Sequence, residues 1–372
     1  MILKLFHFIL VYIIAVFNVS ILTSPVIAMM IPFLKREGLV FSISSSVFDV
    51  FVTFMFFLFF LVSVVMLLYF FLDFIFGFSM RSHLKGCKRF EKIKEYEYLK
   101  KIFEQTKMRF KEKNVQLYVK ESDEVNAFAV ASFGRRAIVL SSGIIREYLR
   151  KSDGPEDFLL SLRSVLGHEM SHLVNKDFLP TYMIIANQKA TNLVASLVNF
   201  VFSIFARLVL FLPYGGRVFA LVANEINSIL GFIIRMFNKY IVDVIYEFLR
   251  KFISRGVEYR CDRQSAHAFG GNHMARSLSF LGKSGYFTIF ATHPSTQSRI
   301  KKVKKLKLKH KIIRPSTLDS LTNYFAFLTL IAISLYFAKE AGVDRFLRYY
   351  IGQHDEIHSK LHFLFNLIKG MI

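Results

Sequence analysis

The chain has 372 residues, of which 53% are hydrophobic and 16% aromatic, and its mean hydropathy is +0.41. This composition excludes an ordinary soluble protein of this length and predicts an integral membrane protein. The formal net charge of +22 would suit a nucleic-acid-binding protein, but beside hydrophobic spans the simpler explanation is positive-inside anchoring against anionic lipid. We therefore expect the lipid bilayer as a partner and no nucleic acid.

Two long apolar runs open the chain, at residues 5–34 and 47–78, and each exceeds the roughly 20 residues that a spanning helix needs. A cleaved signal peptide is the alternative for the first run, because Lys4 precedes a short apolar core and Val26-Ile27-Ala28 resembles a cleavage site. The run continues past Ala28, which favours a span. Two cysteines far apart in sequence, Cys87 and Cys261, build no disulfide framework and indicate a reducing compartment.

The distribution of basic residues predicts the orientation of these spans. The short loop between the two runs has only two basic residues, Lys35 and Arg36. Six basic residues follow the second run at once: Arg81, Lys85, Lys88, Arg89, Lys92 and Lys94. The positive-inside rule therefore places the N-terminus and everything after Arg81 in the cytoplasm.

Beyond the second run, the pattern over residues 87–113 predicts a basic amphipathic helix. Three strand-like segments follow at residues 115–119, 126–132 and 137–140, and Gly134-Arg135-Arg136 joins the last two as in a hairpin. Ser142-Gly143 then begins a short helix. The sequence therefore predicts a small sheet, followed by a long helix.

That long helix contains the motif H-E-x-x-H, formed by His168, Glu169 and His172. The helix is predicted to begin at Pro155, after cap candidates and before acidic residues that suit the positive end of its dipole. Residues four apart on a helix share one face, so both imidazoles can bind one Zn²⁺ while Glu169 reaches a metal-bound water. Because composition alone sometimes produces this motif, it needs structural context.

Catalytic zinc uses three protein ligands and an open position, so a third ligand is required. Glu258 is the best candidate because Asp262 lies one helical turn later, where it can accept the outer N–H of a ligand imidazole. Glu225 and Glu247 are rivals without such a carboxylate. A second histidine pair, at residues 354 and 358, lacks a glutamate directly after its first histidine and is a weak metal-site candidate.

These motifs, taken together, resemble the HtpX family of membrane-bound zinc metallopeptidases, which are related to the CAAX prenyl endopeptidases. The resemblance covers roughly residues 1–305. Four separated motifs match in order: Asn126 to Ala129 with Ala137 to Gly143, then His168 to His172, then Glu258 to Asp262, then His293-Pro294 with Arg299. One departure is Cys261, where the family usually has alanine.

The resemblance implies a role for each matched position. His168, His172 and Glu258 would bind one zinc ion per chain, and Glu169 would be the general base. Asp262 would orient a ligand imidazole, Arg299 would steady the ligand carboxylate and His293 would lie near the oxyanion. Six residues would border the substrate cleft, beside an edge strand that pairs with an extended polypeptide: Asn126, Ala127, Phe128, Ala137, Val139 and Ser141.

The predicted fold class is α+β: a mostly helical zincin-type domain with a small sheet, attached to a helical transmembrane region. We divide the chain into two N-terminal spans (1–80), the first part of the peptidase domain (81–191), a hydrophobic insertion (192–250), the second part (251–314) and a tail (315–372). Residues 192–213, 219–248 and 318–338 are further candidate membrane segments. Charges that recur every four residues in 219–248 leave its relation to the bilayer open.

The predicted function is that of a zinc endopeptidase of the bacterial inner membrane, with its catalytic domain in the cytoplasm, acting on membrane or misfolded proteins in quality control. An intramembrane protease is disfavoured by polar residues on both sides of the motif, such as Arg163 and Asp177. A catalytically silent zinc-binding scaffold remains an alternative, as does a nucleic-acid or lipid-binding tail based on the basic run at residues 301–314. Nothing in the sequence specifies an oligomeric state.

Overall fold

The computed structural model describes residues 47–132, 134–209, 243–281, 294–306 and 312–340, together with eight single positions. The first predicted span, most of the 219–248 segment, His293 and the second histidine pair lie outside the described residues. The predictions made for them stay predictions.

Ten helices and four strands make up the described residues. The helices are α1 (Val47–Phe76), α2 (Phe78–His83), α3 (Leu99–Phe110), α4 (Ser142–Lys151), α5 (Pro155–Val174), α6 (Phe178–Val209), α7 (Asp243–Phe269), α8 (Gly271–Phe280), α9 (Thr296–Lys304) and α10 (Thr317–Glu340). The strands are β1 (Cys87–Arg89), β2 (Val115–Lys120), β3 (Ala127–Ser132) and β4 (Arg135–Ser141). This mostly helical architecture with one small sheet confirms the predicted α+β class.

The four strands form one sheet in the order β1-β2-β4-β3. β3 and β4 pair antiparallel through a turn at Gly134, whose φ of +77° is favourable for glycine, so the predicted hairpin is confirmed. β2 and β4 pair in parallel, with Val115 opposite Arg136. β3 is therefore an edge strand, and β4 is paired on both sides.

The helix predicted over residues 87–113 is wrong in its first part. Cys87–Arg89 instead forms the edge strand β1, which pairs antiparallel with β2, and two 3₁₀ turns follow before α3 begins at Leu99. The backbone hydrogen bonds of this segment are formed with β2, which lies about 30 residues later in the sequence. Local periodicity carries no information on such a partner, so the amphipathic pattern misled the prediction.

The core of the sheet region lies between the sheet and helices α3, α5 and α7. α5 and α7 approach closely at Gly167, directly before the H-E-x-x-H motif. A Cβ atom there would lie 2.7 Å from the Phe269 ring and 2.8 Å from Ser265 Oγ. Ser265 also donates a hydrogen bond of 2.7 Å to the carbonyl of Ser164 on α5. The absence of a side chain at Gly167 thus lets α7 lie directly against the first motif histidine.

The chain divides into two compact units. The first comprises Met1–Tyr12, Leu67–Ala186 and Arg235–Ala326, and it contains the sheet and the H-E-x-x-H helix. The second comprises Ile13–Met66, Asn187–Ile234 and Phe327–Ile372, and within it Phe56 and Phe59 of α1 contact Phe337 of α10, with ring centroids 5.2 and 4.4 Å apart. The five-part division expected from the sequence stays a prediction.

Within the described part of the chain, two helical segments are long and apolar enough to cross a bilayer: Phe56–Phe76 and Thr317–Glu340. Both display large apolar side chains at their surface, among them Phe71 and Leu335. These segments coincide with the second predicted span and with the candidate segment at residues 318–338. The described part of the 192–213 candidate belongs to α6.

Candidate metal centre

Helices α5 and α7 bring three potential ligands together. His168 Nε2 lies 3.2 Å from His172 Nε2. Glu258 of α7 approaches both rings, with Oε2 at 3.4 Å from His168 Nε2 and Oε1 at 3.6 Å from His172 Nε2. Pro155 in the first turn of α5, followed by Glu156 and Asp157, starts this helix as the sequence indicated.

The spacing of these atoms fits one tetrahedral zinc ion. Zinc bonds of about 2.0–2.1 Å at the tetrahedral angle hold ligand atoms about 3.3–3.4 Å apart. The imidazole nitrogens lie 3.2 Å apart, and the two oxygens of Glu258 lie 3.4 and 3.6 Å from them, which is close to that value. Two imidazoles and a carboxylate are also a donor set that catalytic zinc sites use. The three residues can therefore hold a divalent metal ion.

Asp262 and Arg299 form a second layer behind this group. Asp262 Oδ1 lies 2.9 Å from His168 Nδ1, on the side of the ring that faces away from Glu258. Arg299 donates two hydrogen bonds to Asp262, of 2.7 and 2.6 Å, and its Nη1 lies 3.2 Å from Glu258 Oε2. One guanidinium thus fixes both the carboxylate that orients His168 and the carboxylate that can bind the metal.

The other histidine has its own carboxylate, which the sequence analysis missed. Asp177 Oδ2 lies 3.0 Å from His172 Nδ1. Arg260 of α7 donates to Asp177 and also to Asp319, in the first turn of α10. The sequence signal that could have identified this contact is an aspartate five residues after His172, in the turn that ends α5. The sequence pattern indicates Asp177 only as a polar residue beside the motif.

Cys261, the departure from the family pattern, is buried beside this arrangement. Its Sγ lies 3.5 Å from His172 Nδ1. His172, Asp177 and Cys261 thereby form a second group of metal-ligating residue types that shares His172 with the first. Because Asp177 and Cys261 lie on the Nδ1 side of the ring, they leave Nε2 directed at Glu258.

Burial and charge both act on the ionisable groups of the site. Burial opposes protonation of His168, but the charge of Glu258 and the contact with Asp262 outweigh it and raise the pKa of His168 to about 10. Burial raises the pKa of Glu169 above its ordinary value. Burial also disfavours the charged form of Asp262, yet hydrogen bonds from Arg299 and His168 lower its pKa. The site therefore binds positive charge strongly, as a metal site must.

The residues expected to border the substrate cleft differ in accessibility. Ala127 and Phe128 lie on the edge strand β3 and are half-buried, and Asn126 directly precedes that strand. Ala137 and Val139 are fully buried in the inner strand β4. Ser141 caps α4 by accepting a hydrogen bond from the Ile144 N–H. Only the first three residues lie at an edge that can accept a further strand.

Comparison with known proteins supplies the family. Residues 93–307, more than half of the chain, match peptidase family M48. The chain belongs to peptidase family M48. The M48 match includes α5, α7 and the strands β2, β3 and β4, together with every residue of the candidate metal centre.

Curated relatives match about half of the M48 chain. It is 26% identical over 211 residues to a protein named Protease HtpX from Buchnera aphidicola, covering 52% of this chain and 67% of that protein. It is 27% identical over 209 residues to Protease HtpX homolog from Bordetella pertussis, covering 50% and 62%. The match thus spans only about two thirds of the relatives' length. The predicted HtpX-like family is confirmed, and with two apolar helices these matches support a membrane-associated metalloprotease.

Proposed function

We propose that this M48 chain is an integral-membrane zinc endopeptidase whose metal is held by His168, His172 and Glu258. The observation that carries the proposal is the convergence of two imidazole nitrogens and a distant carboxylate at separations that suit one tetrahedral ion. Besides the contact of Glu258 with Arg299, a bound cation or shared protons would stabilise two facing imidazole nitrogens and a carboxylate in this buried pocket.

Bound zinc would supply a Lewis acid that activates water near neutral pH and polarises a peptide carbonyl. Glu169 accepts the proton of the attacking water and transfers it to the leaving amine, because it directly follows the first histidine on α5. Its raised pKa, a consequence of burial, suits both halves of that transfer. Asp262 and Asp177 hold the two imidazoles in the orientation in which Nε2 faces Glu258.

Substrate would bind as an added strand. β3 is the edge strand next to β4, and its outer backbone groups from Ala127 can pair with an extended polypeptide. Such pairing recognises the backbone of the substrate rather than its side chains, so substrates of many sequences can bind. That tolerance suits an enzyme that removes misfolded membrane proteins.

We further propose that the catalytic unit lies on the cytosolic side of a bacterial inner membrane and serves in quality control of membrane proteins. The support is the cluster of basic residues that follows the apolar segment Phe56–Phe76, which is the cytosolic signature of a span. His293 stays the candidate residue near the oxyanion.

The test is hydrolysis of casein, an unfolded model polypeptide, by the full-length protein in detergent. We expect cleavage that 1,10-phenanthroline abolishes and that added Zn²⁺ restores. Cleavage that persists under chelation would exclude a metal-dependent peptidase. One bound zinc ion without any hydrolysis would instead favour the silent scaffold.

Asp177→Asn should lower zinc affinity about 10- to 100-fold, because it removes the carboxylate that orients His172 and strengthens it as a ligand. The affinity is measured by competition with a chromophoric chelator. Asp153→Asn is the matched control, since Asp153 is exposed and pairs only with Arg276 among the described residues. Equal zinc affinity in the wild-type and Asp177→Asn proteins would show that Asp177 plays no part in metal binding.

A further inference from the structure

A basic cavity outside the candidate metal centre lies at the end of α1. Its volume is about 580 Å³. Five cationic side chains line it: Arg81, Arg89, Lys113, Arg135 and Arg136. None of the described residues that line the cavity is acidic. A concave site with this charge attracts anions, since its walls concentrate the positive potential.

The sheet and the end of α1 together build this cavity. Arg89 ends β1 opposite Tyr118 of β2, while Val115 at the start of β2 is paired with Arg136 in β4. β1, β4 and the segment before β2, which contains Lys113, thus bring their basic residues to one cavity. α2 adds Arg81, and the half-buried Leu84 directly after α2 also lines the cavity. The charges come from segments that are up to 55 residues apart in sequence, from Arg81 to Arg136.

The cavity adjoins the end of a candidate membrane span. Phe76 is the last residue of that span, and the next residue, Gly77, lines the cavity. Arg135 donates hydrogen bonds of 2.9 and 3.1 Å to the carbonyls of Ile75 and Phe76, which are the exposed final acceptors of α1. Gly77 adopts a φ of +62°, and a Cβ there would collide with Arg135 Nη1. Arg135 is therefore bonded to the end of the apolar segment, and the cavity lies at the depth expected for lipid headgroups.

The five cations differ in what they already bind. Arg135 is committed to the end of α1, Arg136 pairs with Glu112, and Arg89 donates to the Tyr118 hydroxyl. Arg81 and Lys113 are exposed and form no ion pair with a described residue. They are the two groups best placed to bind a ligand anion. Arginine offers a planar guanidinium that can donate two parallel hydrogen bonds, and lysine offers a compact ammonium group. Proteins use both groups to bind phosphate.

We propose that this cavity binds the phosphate group of a net anionic ligand through Arg81 and Lys113. The ligand is either an anionic phospholipid headgroup or free phosphate, which share this chemistry. The position beside the last residue of a span suits a headgroup held at a fixed depth. This binding site is independent of the metal and of the hydrolytic reaction proposed above.

The test uses the full-length protein in detergent and native mass spectrometry. Dioleoylphosphatidylglycerol, dioleoylphosphatidylcholine and inorganic phosphate are titrated separately, and the fraction of protein with one bound ligand gives the affinity. The double variant Arg81→Gln/Lys113→Gln removes the two proposed contacts. Lys92→Gln/Lys94→Gln is the matched control, because it changes the net charge equally at exposed positions that do not line the cavity.

We expect phosphatidylglycerol to bind the wild-type protein more tightly than phosphatidylcholine does. The cavity variant should bind it at least about tenfold more weakly, and the control should stay within about twofold. Binding of inorganic phosphate alone, with the same dependence on the cavity variant, would identify the soluble anion as the ligand. Equal loss in both variants, or no loss in the cavity variant, would overturn the proposal. Unchanged zinc content in both variants verifies that they are folded.

Discussion

Glu169→Gln is expected to reduce casein hydrolysis by about 10²- to 10⁴-fold or more and to leave the zinc content at the wild-type level. Glutamine has nearly the same shape as glutamate but cannot accept the proton of the attacking water. Glu169 is buried, and the substitution leaves the proposed ligands His168 and His172 unchanged. Loss of activity without loss of metal is the signature of a general base.

Glu156→Gln is the matched control for this substitution. Glu156 lies in the first turn of the same helix and is exposed, so its amide variant should keep activity within about twofold. Initial rates and zinc content are measured on the same preparations. Hydrolysis at the wild-type rate by Glu169→Gln would exclude Glu169 as the base.

The largest effect on stability is expected from Arg299→Met. Arg299 is 8% exposed and contacts two buried carboxylates, Asp262 at 2.6 and 2.7 Å and Glu258 at 3.2 Å. Methionine fills much of the same space but leaves Asp262 and Glu258 without their guanidinium partner. Removal of one partner from a buried ion pair costs about 3–5 kcal/mol. We expect a loss of this size in the free energy of unfolding.

The comparison for this prediction is Arg146→Met, at an arginine whose carboxylate partners are Glu121 and Asp123. Its side chain is 55% exposed, so water already screens these pairs and the expected loss is below about 1 kcal/mol. Denaturant unfolding of the metal-free proteins in detergent separates this effect from loss of zinc binding. Equal stability of the two variants would mean that the Arg299 cluster contributes nothing beyond a surface pair.

Sequence reasoning predicts the motif helix well because its signals are local. Pro155 in the first turn, acidic residues after it and a periodic apolar face all lie within α5 itself. The hairpin of β3 and β4 was predicted for the same reason, since Gly134 and the alternating strands adjoin in sequence. Glu258 was chosen by its spacing to Asp262, and the structure brings it within 3.4 Å of His168.

What escaped prediction depends on contacts between distant segments. Cys87–Arg89 forms a strand because it can pair with β2, and its own hydrophobic periodicity does not predict this. Asp177, Arg260 and Asp319 come from three helical regions and meet only after those helices pack. The basic cavity likewise combines α2 with three strands. Composition showed that the chain is basic, but only the fold places five cations around one space.

The most direct test of the account is the zinc content of the purified full-length protein and its ligand variants, measured by elemental mass spectrometry. We predict one zinc ion per wild-type chain, and less than about a tenth of that in His168→Ala and in Glu258→Gln. Glu247→Gln, at the rival acidic position, should retain the wild-type amount. Full zinc occupancy in Glu258→Gln, or a wild-type protein that binds none, would contradict a metal centre formed by His168, His172 and Glu258.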